Sequence, residues 1–241
     1  MGIEVIPVPA LSDNYIWMLR DPATGTVAVV DPGQAEPALE AANAQGWRIN
    51  QVLITHWHPD HTGGTAAIRA ATGAGVTGPA EAEKVVPMDR IIGEGDRVAV
   101  GALEAEVWHI PAHTAGHVAL YFADAKMIFT GDTMFAMGCG RLFEGNAEQM
   151  FANMQRFADL PDDVRIYCGH EYTLANARFA AHVEPDNPAI AERMARVAAM
   201  RERGEVTLPS TIGEERATNP FLRASSVEEL ARLRTLKDSF G

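Results

Sequence analysis

Residues 55–64 read THWHPDHTGG, and within them His56, His58, Asp60 and His61 place three imidazoles and a carboxylate in six positions. Imidazole nitrogen and carboxylate oxygen are good ligands for Zn²⁺ and other first-row divalent ions. A lone histidine beside an apolar run is more often a hydrogen-bonded core residue than a ligand, but four donors at this density exceed what a polar loop needs. In an extended chain alternate residues share a face, so His56, His58 and Asp60 would point one way if the strand geometry persists past Thr55. Asp60 and His61 are adjacent and splay apart unless the chain turns there; Pro59 and the Gly63-Gly64 pair supply turn residues. Four donors in two separable directions point to two ions rather than one.

Further donors lie at the ends of apolar runs that read as strands: His113 in PAHTAGH, Asp132 in FTGDT and His170 in YCGH. Strand ends beside loops are common places for sites. Taken from the residues alone, each has a plainer alternative. Asp132 could form a turn, and His170 could cap the next helix. His113 and His117, four apart, compete for one ligand role. His109 reads as core and His182 as a solvated helix residue. Cys139 reads as a small buried residue in a GCG turn. Cys168 would face the same side of a strand as His170.

The elements that must position these side chains follow from pattern. VIPV, NYIWML and TVAVVD are β-rich and are punctuated by Asp21-Pro22 and Asp31-Pro32-Gly33. Residues 36–45 read as a helix ending at Gly46, QVLIT as a buried strand leading into the histidine cluster, and 62–72 as the helix after it. RVAV, LEAEVWHI, VALYF and KMIFTGD form a second run of strands, followed by a helix over 146–158 and the strand VRIYCGH. That order suggests a sheet-on-sheet core with helices outside. Beyond Glu171 the pattern is helical only, over 173–183, 188–203 and 226–238, the last with Val227, Leu230, Leu233 and Leu236 along one stripe.

With 241 residues, 47% of them hydrophobic, the chain can bury a sizeable core. Its net charge of −12 opposes nucleic acid and anionic membrane as partners, and an anionic small substrate would need a local basic pocket. Two cysteines make no disulfide framework and suit a reducing compartment. The first residues carry no basic and apolar export pattern, and no apolar run approaches the roughly 20 residues of a membrane span. These features lead to the expectation of a cytoplasmic protein, with a monomer as the default state.

The cluster carries the HxHxDH signature of the metallo-β-lactamase superfamily, and AHTAGH, TGDT and CGHEYT follow in the order of that superfamily's later ligands. The resemblance implies an α+β fold, an αββα sandwich with the site at one edge of two sheets. It implies that His56, His58 and His113 hold one ion, that Asp60, His61 and His170 hold a second, and that Asp132 bridges both. His117 is then outside the ligand set. Ala112 stands where glycine or cysteine is usual, which leaves the ligand itself intact.

LSDNY, GCGRLFEG, GHEYT, TNPFLR and LKDSF narrow the resemblance, over nearly the whole chain, to the hydroxyacylglutathione hydrolase (glyoxalase II) family. The family pattern implies a catalytic domain over 1–170 and a helical substrate-binding domain over 171–241. It implies hydrolysis of S-(2-hydroxyacyl)glutathione thioesters, typically S-D-lactoylglutathione, by a metal-bound hydroxide that Asp60 and Asp132 orient. Two divalent ions are expected, zinc by default, with iron or manganese compatible. Arg141 stands at a basic position of the family, often lysine, and would meet the glycine-end carboxylate of glutathione. Tyr172 and Arg223 fall on substrate-contact positions, Phe143 replaces a tyrosine of some members, and Lys237 matches the lysine of the KDxF ending. No second basic residue follows NPFLR directly. The alternatives in the same fold are a glutathione persulfide dioxygenase, against which the helical tail argues, and other hydrolases such as a β-lactamase.

Overall fold

The computed structural model describes residues 3–240, and the chain divides into two compact units. One runs to His109 and includes Gly116–Gly131; the other joins Ile110–Ala115 to the chain from Asp132 onward.

In the first unit, β1 (Glu4–Ala10) and β2 (Asn14–Arg20) form an antiparallel hairpin, with Ala10 opposite Asn14. β2 pairs antiparallel with β3 (Val27–Val30). Three parallel pairings then add β4 (Gln51–Leu53), β5 (Gly75–Pro79) and β6 (Arg90–Ile92). Parallel neighbours require crossovers, here α1 (Ala35–Gln45) between β3 and β4, and α2 (Pro59–Thr62) with α3 (Thr65–Thr72) between β4 and β5. One face of this sheet, with Ile16, Met18, Val29, Val52, Ile54 and Val76, packs in one cluster with Ala38, Ala42 and Ile68 of the helices. Trp17, Leu19, Ala28, Val30 and Leu53 point the other way and are buried too. Burial on both faces is why these strands appear in sequence as unbroken apolar runs.

Four further strands, β7 (Arg97–Val100), β8 (Leu103–His109), β9 (Val118–Phe122) and β10 (Met127–Gly131), pair antiparallel in succession. Gln51 Nε2 donates to the Ala99 carbonyl at 3.0 Å, tying β4 to β7, and the Val118 amide donates to the Thr55 carbonyl at 2.9 Å, tying the start of β9 to the segment that enters the histidine cluster.

The second unit begins with a small hairpin, β11 (Met134–Phe135) and β12 (Gly138–Cys139). Next comes α4 (Ala147–Ala158), opened by a capping box of Asn146 and Gln149. β13 (Arg165–Cys168) pairs with β14 (Ser210–Thr211). The helices are α5 (Thr173–Val183), α6 (Pro188–Glu202), α7 (Ile212–Thr218) and α8 (Val227–Asp238). No described helix is long and apolar enough to cross a membrane.

Several elements differ from the sequence expectation. β5 and β6 are additional strands; the GVTGP of β5 carries turn-type residues, and its Gly78 is needed because a Cβ there would lie 2.9 Å from the Ile54 Cβ. The expected helix over 62–72 is one turn at 59–62 followed by α3. After residue 171 there is a short strand, β14, as well as helices. In α8 the buried residues are Leu230, Leu233 and Arg234, whereas Leu236 is exposed.

Asp21 ties the turn after β2 to the turn after β7. Its carboxylate accepts from the Ala102 amide at 2.8 Å, the Ala23 amide at 2.9 Å and the Thr24 hydroxyl at 2.8 Å. These donors, the Ala102 amide foremost, hold its pKa below the ordinary aspartate value. A depressed folded pKa contributes stability that is present above the unfolded value and is lost as pH falls through the folded one. Asp21→Asn should therefore lower the urea midpoint at neutral pH. The gap to wild type should close as pH drops below about 5; a gap independent of pH would contradict this role.

Candidate metal centre

In the first unit the cluster sits where β4 runs out. β4 ends at Leu53, so the extended geometry does not carry through to Asp60. Instead Pro59, at the start of α2, turns the chain, and Asp60 and His61 lie on one helical turn with their side chains converging: His61 Nε2 is 3.4 Å from Asp60 Oδ2. His56 Nε2 faces His58 Nδ1 at 3.1 Å. The His56 ring lies 4.8 Å from that of His58, 4.1 Å from that of His61 and 4.6 Å from that of His117, on which it stacks. His56, His61 and His117 are all buried.

Three supporting residues escaped the sequence reading. Asp31 has left-handed backbone (φ 52°) and a buried carboxylate. Its Oδ1 accepts from the Thr55 amide and its Oδ2 from the Thr55 hydroxyl, both at 2.7 Å, and the same Oδ2 lies 3.1 Å from His61 Nδ1. An ionised carboxylate only accepts, so His61 carries its proton on Nδ1 and turns the Nε2 lone pair toward Asp60. Asn14 Nδ2 donates to Asp60 Oδ2 at 3.0 Å and to the Asp60 carbonyl at 3.2 Å, holding α2 from the strand hairpin. Gly33 lets the Asp31 loop lie against Asp60, since a Cβ there would fall 2.0 Å from the Asp60 carbonyl oxygen.

In the second unit three expected ligands meet. Asp132 Oδ2 is 3.2 Å from His170 Nε2 and 3.5 Å from His113 Nε2. His113 Nδ1 lies 3.0 Å from the Arg141 carbonyl, which can only accept, so here too the Nε2 lone pair is presented. The His170 ring stacks on Tyr172 with centroids 4.6 Å apart. Phe143, 61% exposed, lies 5.2 Å from the His113 ring. Gly140 permits the close turn: a Cβ would meet the Asp132 carbonyl oxygen at 1.9 Å.

The donors in both units are imidazole nitrogens and carboxylate oxygens, with His61 and His113 each set against an acceptor, and that set fits a borderline divalent ion. Cys168 is no part of it: its Sγ lies 3.6 Å from the His170 carbonyl, and burial pushes the thiol pKa up to about 12.

A cavity of about 430 Å³ in the second unit is lined by Arg141, Phe143, Ala147, Arg234, Thr235 and Asp238, among others. Arg141 Nε is 3.7 Å from Asp238 Oδ1, and Arg234 Nη2 is 3.0 Å from the same oxygen. Lys237 follows on the same helix, its Nζ over the rings of Phe179 and Phe240. Burial, and then the positive charges of Arg234 and Arg141, lower its pKa. Arg234 was not anticipated; it lies within an apolar helical stripe that gives no hint of a buried cation. Arg223 is not brought here. It lines a separate concavity, with its Nε 3.4 Å from Glu184.

Comparison with known proteins identifies the fold and the family. The profile described as the metallo-β-lactamase superfamily matches residues 11–170, and the one described as the hydroxyacylglutathione hydrolase C-terminus matches 171–240. Among solved structures, ETHE1 from Myxococcus xanthus superposes with a TM-score of 0.73 at 24% identity, covering 100% of this chain and 96% of its own. TTHA1623 in a di-iron-bound form gives 0.66 at 24%, covering 90% and 99%. The fold is that of the metallo-β-lactamase superfamily, an α+β architecture with a further C-terminal segment. The hydroxyacylglutathione hydrolase of Methylococcus capsulatus is 48% identical over 96% of this chain and 91% of its own. That of Cereibacter sphaeroides is 45% identical over the full length of both, and that of Pseudomonas aeruginosa is 50% identical over 92% and 87%. The chain belongs to the hydroxyacylglutathione hydrolase family.

Asp31 offers a direct test of the tautomer argument. In Asp31→Asn an amide N–H can face His61 Nδ1 and favour the opposite tautomer, withdrawing the Nε2 lone pair. Zinc affinity, measured by competition with a chelating dye, should fall about tenfold or more. Unchanged affinity would show that Asp31 serves only the backbone of Thr55.

Proposed function

We propose that the protein hydrolyses S-(2-hydroxyacyl)glutathione thioesters, typically S-D-lactoylglutathione to D-lactate and glutathione. His56, His58 and His113 would hold one divalent ion and Asp60, His61 and His170 a second, with Asp132 available to both. Residues 1–170 form the catalytic part and 171–241 the substrate-binding part, a division supported by the meeting of the two profile matches at residues 170 and 171. The observation that carries the reading is the approach of two imidazole Nε2 atoms to one carboxylate oxygen of Asp132, as a bridging ligand requires. Near full-length identity to proteins named for this activity supports the substrate class.

When bound, two divalent ions would supply a water of lowered pKa and polarise the thioester carbonyl. Zinc is the default, and iron or manganese suits the same donors. Asp60 and Asp132 offset the cationic charge and orient the attacking water; Asp31 and the Arg141 carbonyl fix the imidazoles that surround it. The departing thiolate is a stable anion, so no side chain need deliver a proton to it. Arg141 can fork onto a glutathione carboxylate, and Lys237 adds charge beside the same cavity. Phe143 offers an apolar edge next to His113, and Tyr172 caps the His170 ring. Arg223, held by Glu184 on the other concavity, is assigned to that ion pair rather than to substrate. The reading makes the protein a cytoplasmic monomer with no nucleic-acid or membrane partner, supported by two free, buried cysteines and a net charge of −12.

Metal-loaded protein should release thiol from S-D-lactoylglutathione with kcat/KM of about 10⁴ M⁻¹s⁻¹ or more. No thiol release with both ions bound would refute the substrate assignment. Arg141→Ala should raise KM about tenfold with kcat nearly kept, the loss of one charge-assisted contact, while Arg223→Ala should leave KM unchanged. A rise in the Arg223 variant equal to that in the Arg141 variant would move Arg223 into the substrate site.

A further inference from the structure

The segment from Asp132 to Arg141 carries two groups the site needs: the Asp132 carboxylate at one end and, at the other, the carbonyl that fixes the His113 tautomer. Between them lies the β11–β12 hairpin, with two residues in each strand and a Met137 in left-handed conformation (φ 58°) at its turn. So short a hairpin is not stable alone, and a non-glycine residue with positive φ persists only where its surroundings enforce it.

The enforcing group is Glu215 of α7. It is fully buried, and its two oxygens face opposite ways. Oε2 accepts from the Met137 amide at 2.7 Å and from Asn219 Nδ2 at 3.0 Å. That same Asn219 nitrogen donates to the carbonyls of Phe135 and Gly138, at 3.2 and 3.1 Å, on the two sides of the turn. Oε1 accepts from Arg193 Nη2 of α6 at 2.7 Å and from the Ser210 hydroxyl. Arg193 is itself buried and also donates to Thr218 Oγ1 at 2.5 Å. A buried carboxylate is costly unless paired and fully hydrogen-bonded. This one is both, and one of its partners is the amide of the strained turn residue.

We infer that Glu215, backed by Arg193, is a positioning residue that clamps the Met134–Cys139 hairpin and thereby places the Asp132 carboxylate and the Arg141 carbonyl for metal binding. The helical segment thus helps build the metal centre in addition to lining the substrate cavity. The inference rests on the proposed metal reading.

Glu215→Gln is nearly isosteric but cannot accept on both faces: its amide nitrogen must confront either the Met137 amide or the Arg193 guanidinium. The test uses the full chain, wild type and variant, titrated with zinc against a chelating dye, with hydrogen exchange of residues 133–141 followed on the metal-free protein. Arg216→Gln is the control; Arg216 ties α7 to Asp162 and to the Ala158 carbonyl at the end of α4, and no bond of its side chain goes to the hairpin. The expected result is a roughly tenfold or greater loss of affinity for at least one zinc, with faster exchange at Met137 and Gly140, in Glu215→Gln and not in a control of equal urea stability. If Glu215→Gln does not fold, Arg193→Gln/Glu215→Gln removes the buried cation with the anion and should show the same selective loss. Zinc affinity and exchange matching wild type, or falling equally in the control, would overturn the clamp. A wild-type chain that takes up no zinc would instead overturn the metal reading on which the clamp depends.

Discussion

Imidazole rings crowded together, three of them buried and that of His58 half-buried, are the constraint around which the first unit is built. His56 Nε2 and His58 Nδ1 face each other at 3.1 Å, with the rings of His61 and His117 against His56. At that distance one nitrogen can donate an N–H to the other, and a divalent cation taking the place of that proton would accept both lone pairs. The arrangement also requires the rings to be held from behind. Asp31 does so for His61 and for the strand end at Thr55, and Asn14 does so for Asp60. The buried sheet beneath supplies the rigidity: β4 delivers Thr55 and His56 from an apolar run, and α2 turns Asp60 and His61 back toward them.

The second unit solves the same problem differently. Its candidate ligands come from three separate places in the chain, the 110–115 loop, the end of β10 and the end of β13, and so need more support. Backbone and helices provide it: the Arg141 carbonyl directs His113, Tyr172 stacks on His170, and buried side chains from α5, α7 and α8 reach the carbonyls of the 134–139 hairpin. Asn176 donates to Ala136 at 3.0 Å, and Arg234 to Cys139 at 2.7 Å. A buried Arg193–Glu215 pair within an otherwise ordinary helical segment is understandable on these terms, because an apolar replacement could pack but could not hold a strained amide.

What the sequence made legible was whatever depends on short-range pattern. The four donors at 56–61 stood out by their density, His113, Asp132 and His170 only through the family resemblance, and the main strands and helices because their apolar periods are clear. The partners of those ligands did not stand out. Asp31 looked like a turn former, since the Thr55 and His61 groups it serves are more than twenty residues away. Nothing in the sequence singled out Glu215 or Arg234, because burial of a charge is decided by tertiary packing and not by period. The same reason explains β5, whose glycines and proline resemble a turn until a neighbouring Ile54 requires the absence of a side chain, and Leu236, which continues a stripe that the packing ends at Leu233.

The central claim is a two-ion centre made from nitrogen and oxygen donors alone. X-ray absorption at the zinc edge of the loaded protein tests it directly. The account predicts a first shell at about 2.0–2.1 Å with no sulfur and a metal–metal feature at about 3.5–4 Å. A zinc–sulfur shell at about 2.3 Å, or an isolated zinc with no second metal in range at full loading, would contradict it.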